Sequence, residues 1–439
     1  MDNLDTIFSR EFESMPREDL EQLQLERLQS TLFRVSKNVA SYKKSLDDAK
    51  IDVEVIRTLE DLRRLPFTTK EDLRLSYPYN AFAVPLRDIV RVHSTSGTTG
   101  KPIVVGYTKT DLSNWASLVA RVLTAAGVGS EDFVQIAFNY SLNTGGFGFD
   151  YGAERLGASV IPSAVAEVRR QLLVMKDYRS TALISTPGYA LHIATVLRDL
   201  GMHPDELTLR VGLFGAEPWS TSMRDEIERG LHVRAYDNYG LSEIIGPGVA
   251  FECGMRDGLH INEDHFIPEV VDPDTLEPVE PGEQGELVFT TITKQAFPLI
   301  RYRTGDISAL EIGPCSCGRT TQRMQRVYGR TDDMIIVEGI NVFPSQIEEL
   351  LLEVEGAEPH YQITLDRDEG IDSMEIKVEV SPNLPNIDDV KELINLKTTI
   401  QDRLSESLGI RPMVSFVEPK TLERSSGDKI NRVIDRRTK

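Results

Sequence analysis

Short β-rich runs alternating with amphipathic stretches across residues 90–310 constrain this chain more than any other feature. The runs IVRVHS, PIVVGY, FVQIAF, SVIPSA, RVGLFG and ELVFTTI are separated by stretches such as 110–126 and 222–230. Parallel strands need crossovers, usually helical, so the alternation predicts an α/β body built around partly parallel sheets. Upstream, Leu25, Leu28, Leu32 and Val35 recur at spacings of three and four, and the first eighty residues read as mostly helical packing. Downstream, the turn-rich GPCSCGRTTQRMQRVYGRTDD at 313–333 interrupts the pattern. A helix at 345–354, the strand MEIKVEV, a helix at 388–408 and the strand MVSFVE come after it, which predicts a small α+β unit. The expected division is a large unit over 1–331 and a small one over 332–439.

Composition narrows the function classes. The 439 residues are 40% apolar and 27% charged, an ordinary globular balance with ample material for a core. A net charge of −20 repels a phosphate backbone, so no nucleic-acid partner is expected. The acidic, polar start MDNLDTIFSREFESMPREDLEQ resembles neither a signal nor a transit peptide, and the longest uncharged run, VQIAFNYSLNTGGFGF, is broken by Asn and Gly. A cytoplasmic location with no membrane contact is the expectation.

The densest chemical signal is HSTSGTTGKP, 93–102, between two strand-like runs. Gly97 and Gly100 let backbone N–H groups face an anion; Ser94, Thr95, Ser96, Thr98 and Thr99 add hydroxyl donors, and Lys101 adds a point charge. Such a loop would hold a polyphosphate. It is no Walker loop, because two residues rather than four separate its glycines and Pro102 comes after the lysine. The bland reading is a Ser/Thr/Gly-rich surface hairpin.

Other strings carry weaker signals. In RVGLFGAEPWS a strand stops at Gly215 and turns through Ala216, Glu217 and Pro218. In YDNYGLSE, Tyr239 offers a flat face for a base and Glu243 a hard oxygen ligand of the kind Mg²⁺ takes, near Gly240 where the backbone allows close approach. In RYRTGD, Asp306 at a strand end is placed to accept from a ribose diol, with Arg303 facing phosphate. Lys429 lies in SSGDKINRVIDRR, where a lone lysine is ordinarily solvated charge.

In this order, the strings resemble the adenylate-forming superfamily, and within it phenylacetate-CoA ligases. Further landmarks are LPFTTKEDLR, YGAERLGASVIP, EDHFIPEVV and GINVFPSQIEE, so the resemblance spans nearly the whole chain. It implies a large N-terminal domain with a small mobile α+β C-terminal lid. It also implies a reaction in which a carboxylic acid is activated by ATP as acyl-adenylate and passed to CoA, releasing pyrophosphate and AMP. By the same resemblance, Ser94 to Lys101 grip the β- and γ-phosphates, and Gly215 to Pro218 with Asp237, Asn238, Tyr239 and Gly240 surround the adenine. Asp306 and Arg330 serve the nucleotide, Asp306 at the ribose, and Glu243 ligates Mg²⁺. Lys101, Glu243 and Lys429 are the catalytic group, with Lys429 contacting both carboxylate and α-phosphate. Tyr140, Asn143, Gly145, Asn238 and Gly240 border the acid pocket; Gly339, Asn341, Phe343 and Pro344 approach CoA, and Asp332 is the hinge. A homodimer is left open.

Two features depart from the family pattern. Asn143 and Asn238 stand where phenylacetate ligases usually carry an aromatic and an apolar residue. Buried amides without partners cost ~1–3 kcal/mol, which favours a ring carrying hydroxyl or amino groups, or a different polar acid, over phenylacetate itself unless the amides serve the backbone. Cys253 and His260, with Cys315 and Cys317, form a Cys₃His set that either holds a structural zinc or is three unconnected thiols. His93, His192, His203, His232 and His360 receive no ligand role, and His265 in EDHF is placed near the nucleotide region.

Two rivals remain. An enzyme of the same fold could load a carrier-protein phosphopantetheine or modify a cofactor with AMP, which acceptor tests would distinguish. A non-catalytic nucleotide sensor is the other, and it would have no need of Lys429.

Overall fold

The computed structural model describes residues 7–95, 101–331, 334–337, 340–354, 356–368, 371–381, 390–419, 421–422 and 432–437. Among these, a nine-stranded sheet organises the large N-terminal part. Ser159–Ile161, Phe133–Ile136, Ala182–Ser185, Val211–Gly215 and Arg234–Leu241 lie in that order, all parallel. Beyond Arg234–Leu241 the sense reverses, and Gly246–Glu252, Leu259–Ile261, Arg323–Met324 and Leu310–Glu311 continue antiparallel. The central parallel strands Ala182–Ser185 and Val211–Gly215 are buried throughout, as strands covered on both faces must be.

The covering helices form where the alternation put them. The 110–126 stretch is the helix Lys109–Ala125. Its start is fixed by Thr108, whose hydroxyl accepts from Asp111 N while the Asp111 carboxylate accepts from Thr108 N, two otherwise orphaned donors satisfied together. The 222–230 stretch is Thr221–Leu231, capped by Ser220. At the N-terminus, Leu28, Leu32 and Val35 of the helix Arg17–Asn38 are buried and Leu25 is half-buried.

A second, antiparallel sheet orders Phe266–Val271, Gly285–Thr291, Tyr302–Ser308 and Gly329–Arg330. The hairpin Arg91–Ser94 with Val104–Tyr107 stands apart, so the 95–103 loop joins two antiparallel strands. The smaller C-terminal part has its own core around Ile347, Ile363, Ile376, Leu404 and Val414. Its four-stranded mixed sheet orders Met413–Val417, Ile371–Val380, Ala357–Asp368 and Val433–Asp435, packed by the helices Pro344–Leu352 and Val390–Leu408. No helix among the described residues is long and apolar enough to cross a membrane.

Candidate active site

Open α/β sheets bind ligands in a crevice outside the carboxyl ends of their parallel strands. Here that crevice is a cleft of about 760 Å³. Ala216, Glu217 and Pro218 line it from the end of Val211–Gly215; Asp237, Asn238, Tyr239 and Gly240 line it from the next strand, with Glu243 just beyond. Asp306 and Arg330 close it from the second sheet.

Backbone approach is tight along this wall. A Cβ on Gly215 would come 2.3 Å from the Asn238 carbonyl oxygen, and one on Gly240 would come 2.0 Å from that of Gly246. Ala216, immediately after the strand, holds φ at +71°, a sparsely populated conformation for a residue with a side chain and one found at ligand clamps.

Asp306 is the electrostatic centre of the cleft. Its Oδ2 accepts from the Tyr239 hydroxyl at 2.6 Å, and its Oδ1 from Arg330 Nη1 at 2.5 Å. Burial and the Asp306 charge push the Tyr239 phenol well above its ordinary range, so Tyr239 is a neutral donor throughout the working pH range. Glu243 is buried, and the Tyr302 hydroxyl points to its Oε1 at 3.4 Å. This carboxylate facing the cleft is an oxygen donor of the kind Mg²⁺ takes.

One sequence expectation needs correction and two are refined. Asp306 is not at a strand end: it lies within Tyr302–Ser308, beside a register shift at Glu286/Val288 and Gly305 at φ +78°. Arg303 lines the cleft as expected, but as one half of an ion pair: its Nε and Nη2 donate to Glu286 Oε2 at 3.0 and 2.5 Å. His265, expected near the nucleotide region, is not part of the cleft wall: it bonds Thr293 Oγ1 at 2.6 Å and sits 3.2 Å from the Asp264 carboxylate.

Asp237 sits over Glu252, which accepts from Arg224 Nη2 through both oxygens and from Asp237 N, each at 2.8 Å. Burial, and then the Glu252 charge, push the Asp237 carboxyl up to about 7. A carboxyl raised above its unfolded value stabilises the fold when protonated, and that contribution is lost as pH rises from about 4 through about 7. Asp237→Asn is therefore expected to melt at least ~2 °C higher than the parent above pH 7.5 and to match it near pH 4.5, read by thermal unfolding at both pH values.

The remaining expected residues divide by location. Ser96, Gly97, Thr98, Thr99, Gly100, Asp332, Gly339 and Lys429 fall outside the described residues. Ser94 ends the first strand of the hairpin, Thr95 Oγ1 accepts from Ile103 N at 3.1 Å, and exposed Lys101 places Nζ 5.7 Å from the Tyr77 ring centroid. Asn341 lies in the strand Ile340–Val342, and Phe343 and Pro344 begin the next helix, with the Phe343 ring against Gly329.

On the acid side, Tyr140 donates to Asp150 Oδ1 at 3.1 Å and meets Phe147 edge-on, with Gly146 close beneath its ring. Phe147 continues into an aromatic cluster of His93, Tyr107, Trp115 and Tyr151, and nearby the Thr144 and Ser242 hydroxyls meet at 2.8 Å. Asn143 is exposed and Gly145 opens the helix Gly145–Leu156. Asn238 is buried, and its Nδ2 donates to the Phe214 carbonyl at 2.8 Å. One of its amide hydrogens thus serves the backbone of the neighbouring strand.

Thr69, Lys70, Arg74, Glu286, Tyr302 and Arg326 also line the cleft, and sequence reasoning assigns them no role. Tyr302 lies inside RYRTGD, and Lys70 and Arg74 inside LPFTTKEDLR, so those strings held the only local signal.

Away from the cleft, Cys253, His260, Cys315 and Cys317 converge, one ligand atom of each lying within 4.8 Å of every other.

The sequence matches the AMP-binding enzyme family over residues 17–293 and the AMP-binding enzyme C-terminal domain over 339–437. It is 46% identical to the phenylacetate-coenzyme A ligase of Thermus thermophilus, across 98% of this chain and 100% of that one. The chain belongs to the phenylacetate-coenzyme A ligase family of AMP-binding enzymes. Among solved structures, 2-hydroxyisobutyryl-CoA ligase in the postadenylation state, in complex with R3-HIB-AMP, superposes with a TM-score of 0.92 at 28% identity, covering 99% of this chain and 94% of that one. The same ligase with 2-HIB-AMP and CoA in the thioesterification state gives 0.73 at 29% identity, over 100% and 94%. The adenylate-forming fold expected from the sequence is thus the fold of this family member.

Proposed function

We propose that this family member is an AMP-forming acid–CoA ligase acting on an aryl or arylacetic acid of the phenylacetate class. A carboxylate oxygen attacks the α-phosphorus of ATP, the bond to pyrophosphate breaks, and an acyl-adenylate forms. The sulfur of CoA then attacks the acyl carbon, and AMP leaves. The observation that carries this reading is the convergence of Ala216–Pro218, Asp237–Gly240, Glu243 and Asp306 on one cleft.

Each residue has a task there. The wall at Gly215 to Pro218 and Asp237 to Gly240 receives the adenine, with Tyr239 beneath it. Asp306, oriented by Tyr239 and Arg330, accepts from the ribose hydroxyls, since a carboxylate offers several lone-pair sites. The 94–101 loop and Lys101 meet the β- and γ-phosphates. Glu243 would hold Mg²⁺, which supplies charge neutralisation at the phosphates when bound. Lys429 bridges carboxylate and α-phosphate.

The acid lies toward Tyr140, Asn143 and Gly145 and the aromatic cluster behind them. Because Asn238 already donates to Phe214, a plain aryl ring does not leave that donor without a partner, and one of the two arguments for a polar ring weakens. Residues 332–439 act as a lid turning about Asp332, which carries Gly339, Asn341, Phe343 and Pro344 to CoA. The higher similarity to a postadenylation structure than to a thioesterification one supports reading the present arrangement as the one that precedes thiol entry. A cytoplasmic enzyme of aromatic-acid breakdown fits these features, and a structural zinc at the Cys₃His cluster stands outside the chemistry.

A pyrophosphate-release screen over a panel of aryl acids, with and without CoA, tests the reading. Acid-dependent pyrophosphate release with one acyl-CoA formed per AMP is expected. Pyrophosphate release with no CoA thioester, but with transfer to a carrier-protein thiol, would favour the carrier-loading rival, and nucleotide binding with no turnover on any acid would favour a sensor.

A further inference from the structure

The Cys₃His cluster joins three separate stretches of chain. Cys253 directly succeeds the strand Gly246–Glu252, His260 lies in Leu259–Ile261, and Cys315 and Cys317 lie in the connection from Leu310–Glu311 to Arg323–Met324. A tetrahedral ion with Zn–S of about 2.3 Å and Zn–N of about 2.0 Å requires edges of ~3.8 Å between sulfurs and ~3.5 Å between sulfur and nitrogen. Cys253 Sγ and Cys315 Sγ are 3.8 Å apart, and Cys317 Sγ and His260 Nε2 are 3.4 Å apart. A disulfide would need about 2.05 Å, so the four atoms are spaced as ligands rather than as a bond.

The surroundings orient these atoms. His260 Nδ1 contacts Thr321 Oγ1 at 3.2 Å, which directs Nε2 toward the sulfurs. Met255 N donates to Cys253 Sγ at 3.4 Å and Arg319 Nη1 to Cys317 Sγ at 3.6 Å. Gly318, at φ +90°, closes the turn by donating to the Cys315 carbonyl at 3.0 Å. Three sulfurs and an imidazole within 4.8 Å of one another, three of the four residues buried, suit zinc, and binding would release the thiol protons.

The residues just after Cys317 give the site a purpose. Arg319, fully buried, binds Glu13 through Nε and Nη2, each at 2.8 Å from Oε2. Thr320 N donates to the Glu13 carbonyl at 3.1 Å, and Thr320 Oγ1 to that of Met15 at 2.6 Å. Gln322 N donates to Glu263, which also receives Arg17 Nη1 at 2.8 Å. Residues 319–322 are therefore the dock for the N-terminal segment 7–17, and apart from the two-residue strand Arg323–Met324 the connection that presents them has little regular structure of its own.

We propose that zinc at Cys253, His260, Cys315 and Cys317 is a clamp that shapes 313–322 into the dock holding the N-terminal segment 7–17 on the nucleotide sheet. The clamp rests on the structural-zinc reading, and the two fail in different ways.

The test uses the full-length protein. Zinc is measured by elemental analysis, then stripped with a chelator, and hydrogen exchange is followed by mass spectrometry before, after, and on zinc re-addition. One zinc per chain is expected. Stripping should speed exchange in 313–322 and 7–17 at least tenfold, reversibly, while Ala182–Ser185 keeps its protection. Cobalt substitution should give the thiolate charge-transfer absorption of a tetrahedral sulfur-rich site. Protein that is metal-free as purified, with 313–322 already protected, overturns the zinc and the clamp together. One zinc with 7–17 unchanged on stripping overturns the clamp alone, as does loss of protection in every peptide at once. Glu13→Gln, which leaves all four ligands intact, should release 7–17 while retaining zinc; unchanged protection there also counts against the clamp.

Discussion

Lys429→Ala is expected to lower acid-dependent pyrophosphate release by ~10²–10³-fold, the usual cost of deleting one donor aimed at developing charge. Adenylation brings a carboxylate against a polyphosphate, and the two anions repel until a cation sits between them. A compact ammonium suits that position because it can meet oxygens of both reactants at once. ATP binding should survive the change, since the adenine wall and Asp306 are untouched. Thioester formation from preformed acyl-adenylate should survive as well, because pyrophosphate has already left and the bridge has no further task. Equilibrium ATP binding, single-turnover pyrophosphate release and acyl-adenylate-to-CoA transfer separate the three steps. Undiminished pyrophosphate release would remove Lys429 from the mechanism, and equal loss in all three assays would mean a folding defect. The segment holding Lys429 runs into Val433–Asp435, which pairs in parallel with Ala357–Asp368. The lysine is thus tethered to the small C-terminal unit, so its delivery depends on where that unit stands.

Local pattern made the sheet legible, because parallel buried strands and crossover helices leave a period and a composition that a single sequence displays. The strand end at Gly215 and the capped helix from Lys109 are visible for that reason. The Cys₃His convergence was legible in a different way: so few cysteines in a long chain leave few combinations to consider. Pairing across strands was not legible. Arg303 looks like a free cation in RYRTGD, and only the register that sets Tyr302–Ser308 beside Gly285–Thr291 reveals that Glu286 takes it. Asp306 likewise lies buried within Tyr302–Ser308 rather than at its end. Lys70, Arg74 and Arg326 reach the cleft from elements far apart in sequence, and nothing in a lone helix start or turn announces such a destination.

A second large effect belongs to a buried pair of which only one member, Asp264 in EDHFIPEVV, lies in a landmark string. Arg121, on the helix Lys109–Ala125, meets Asp264 through two bonds, Nη1 to Oδ1 at 2.7 Å and Nη2 to Oδ2 at 3.0 Å, and both side chains are almost wholly buried. Arg121 Nη1 also reaches Asn262 Oδ1 at 3.0 Å, and Arg27, from the helix Arg17–Asn38, donates to the Asp264 carbonyl. Burial alone would raise the Asp264 carboxyl, but His265 and Arg121 beside it outweigh burial and hold it well below the usual carboxylate range. Asp264→Ala leaves the Arg121 guanidinium buried without its counter-charge, which costs ~3–5 kcal/mol at pH 7. Urea unfolding at pH 7 measures this, and a loss under ~1 kcal/mol would show that Arg121 finds another partner. Because the folded carboxyl is depressed, its contribution is complete above the unfolded value near 4 and disappears as pH falls below it, so parent and variant should converge in acid. The penalty comes from the stranded charge more than from the lost attraction. Arg121→Met combined with Asp264→Leu should therefore recover much of what Asp264→Ala loses, since two apolar side chains need no desolvation of an ion. Failure of that double variant to recover would instead place the importance of the pair in the hydrogen bonds it directs to Asn262, which two apolar side chains cannot make.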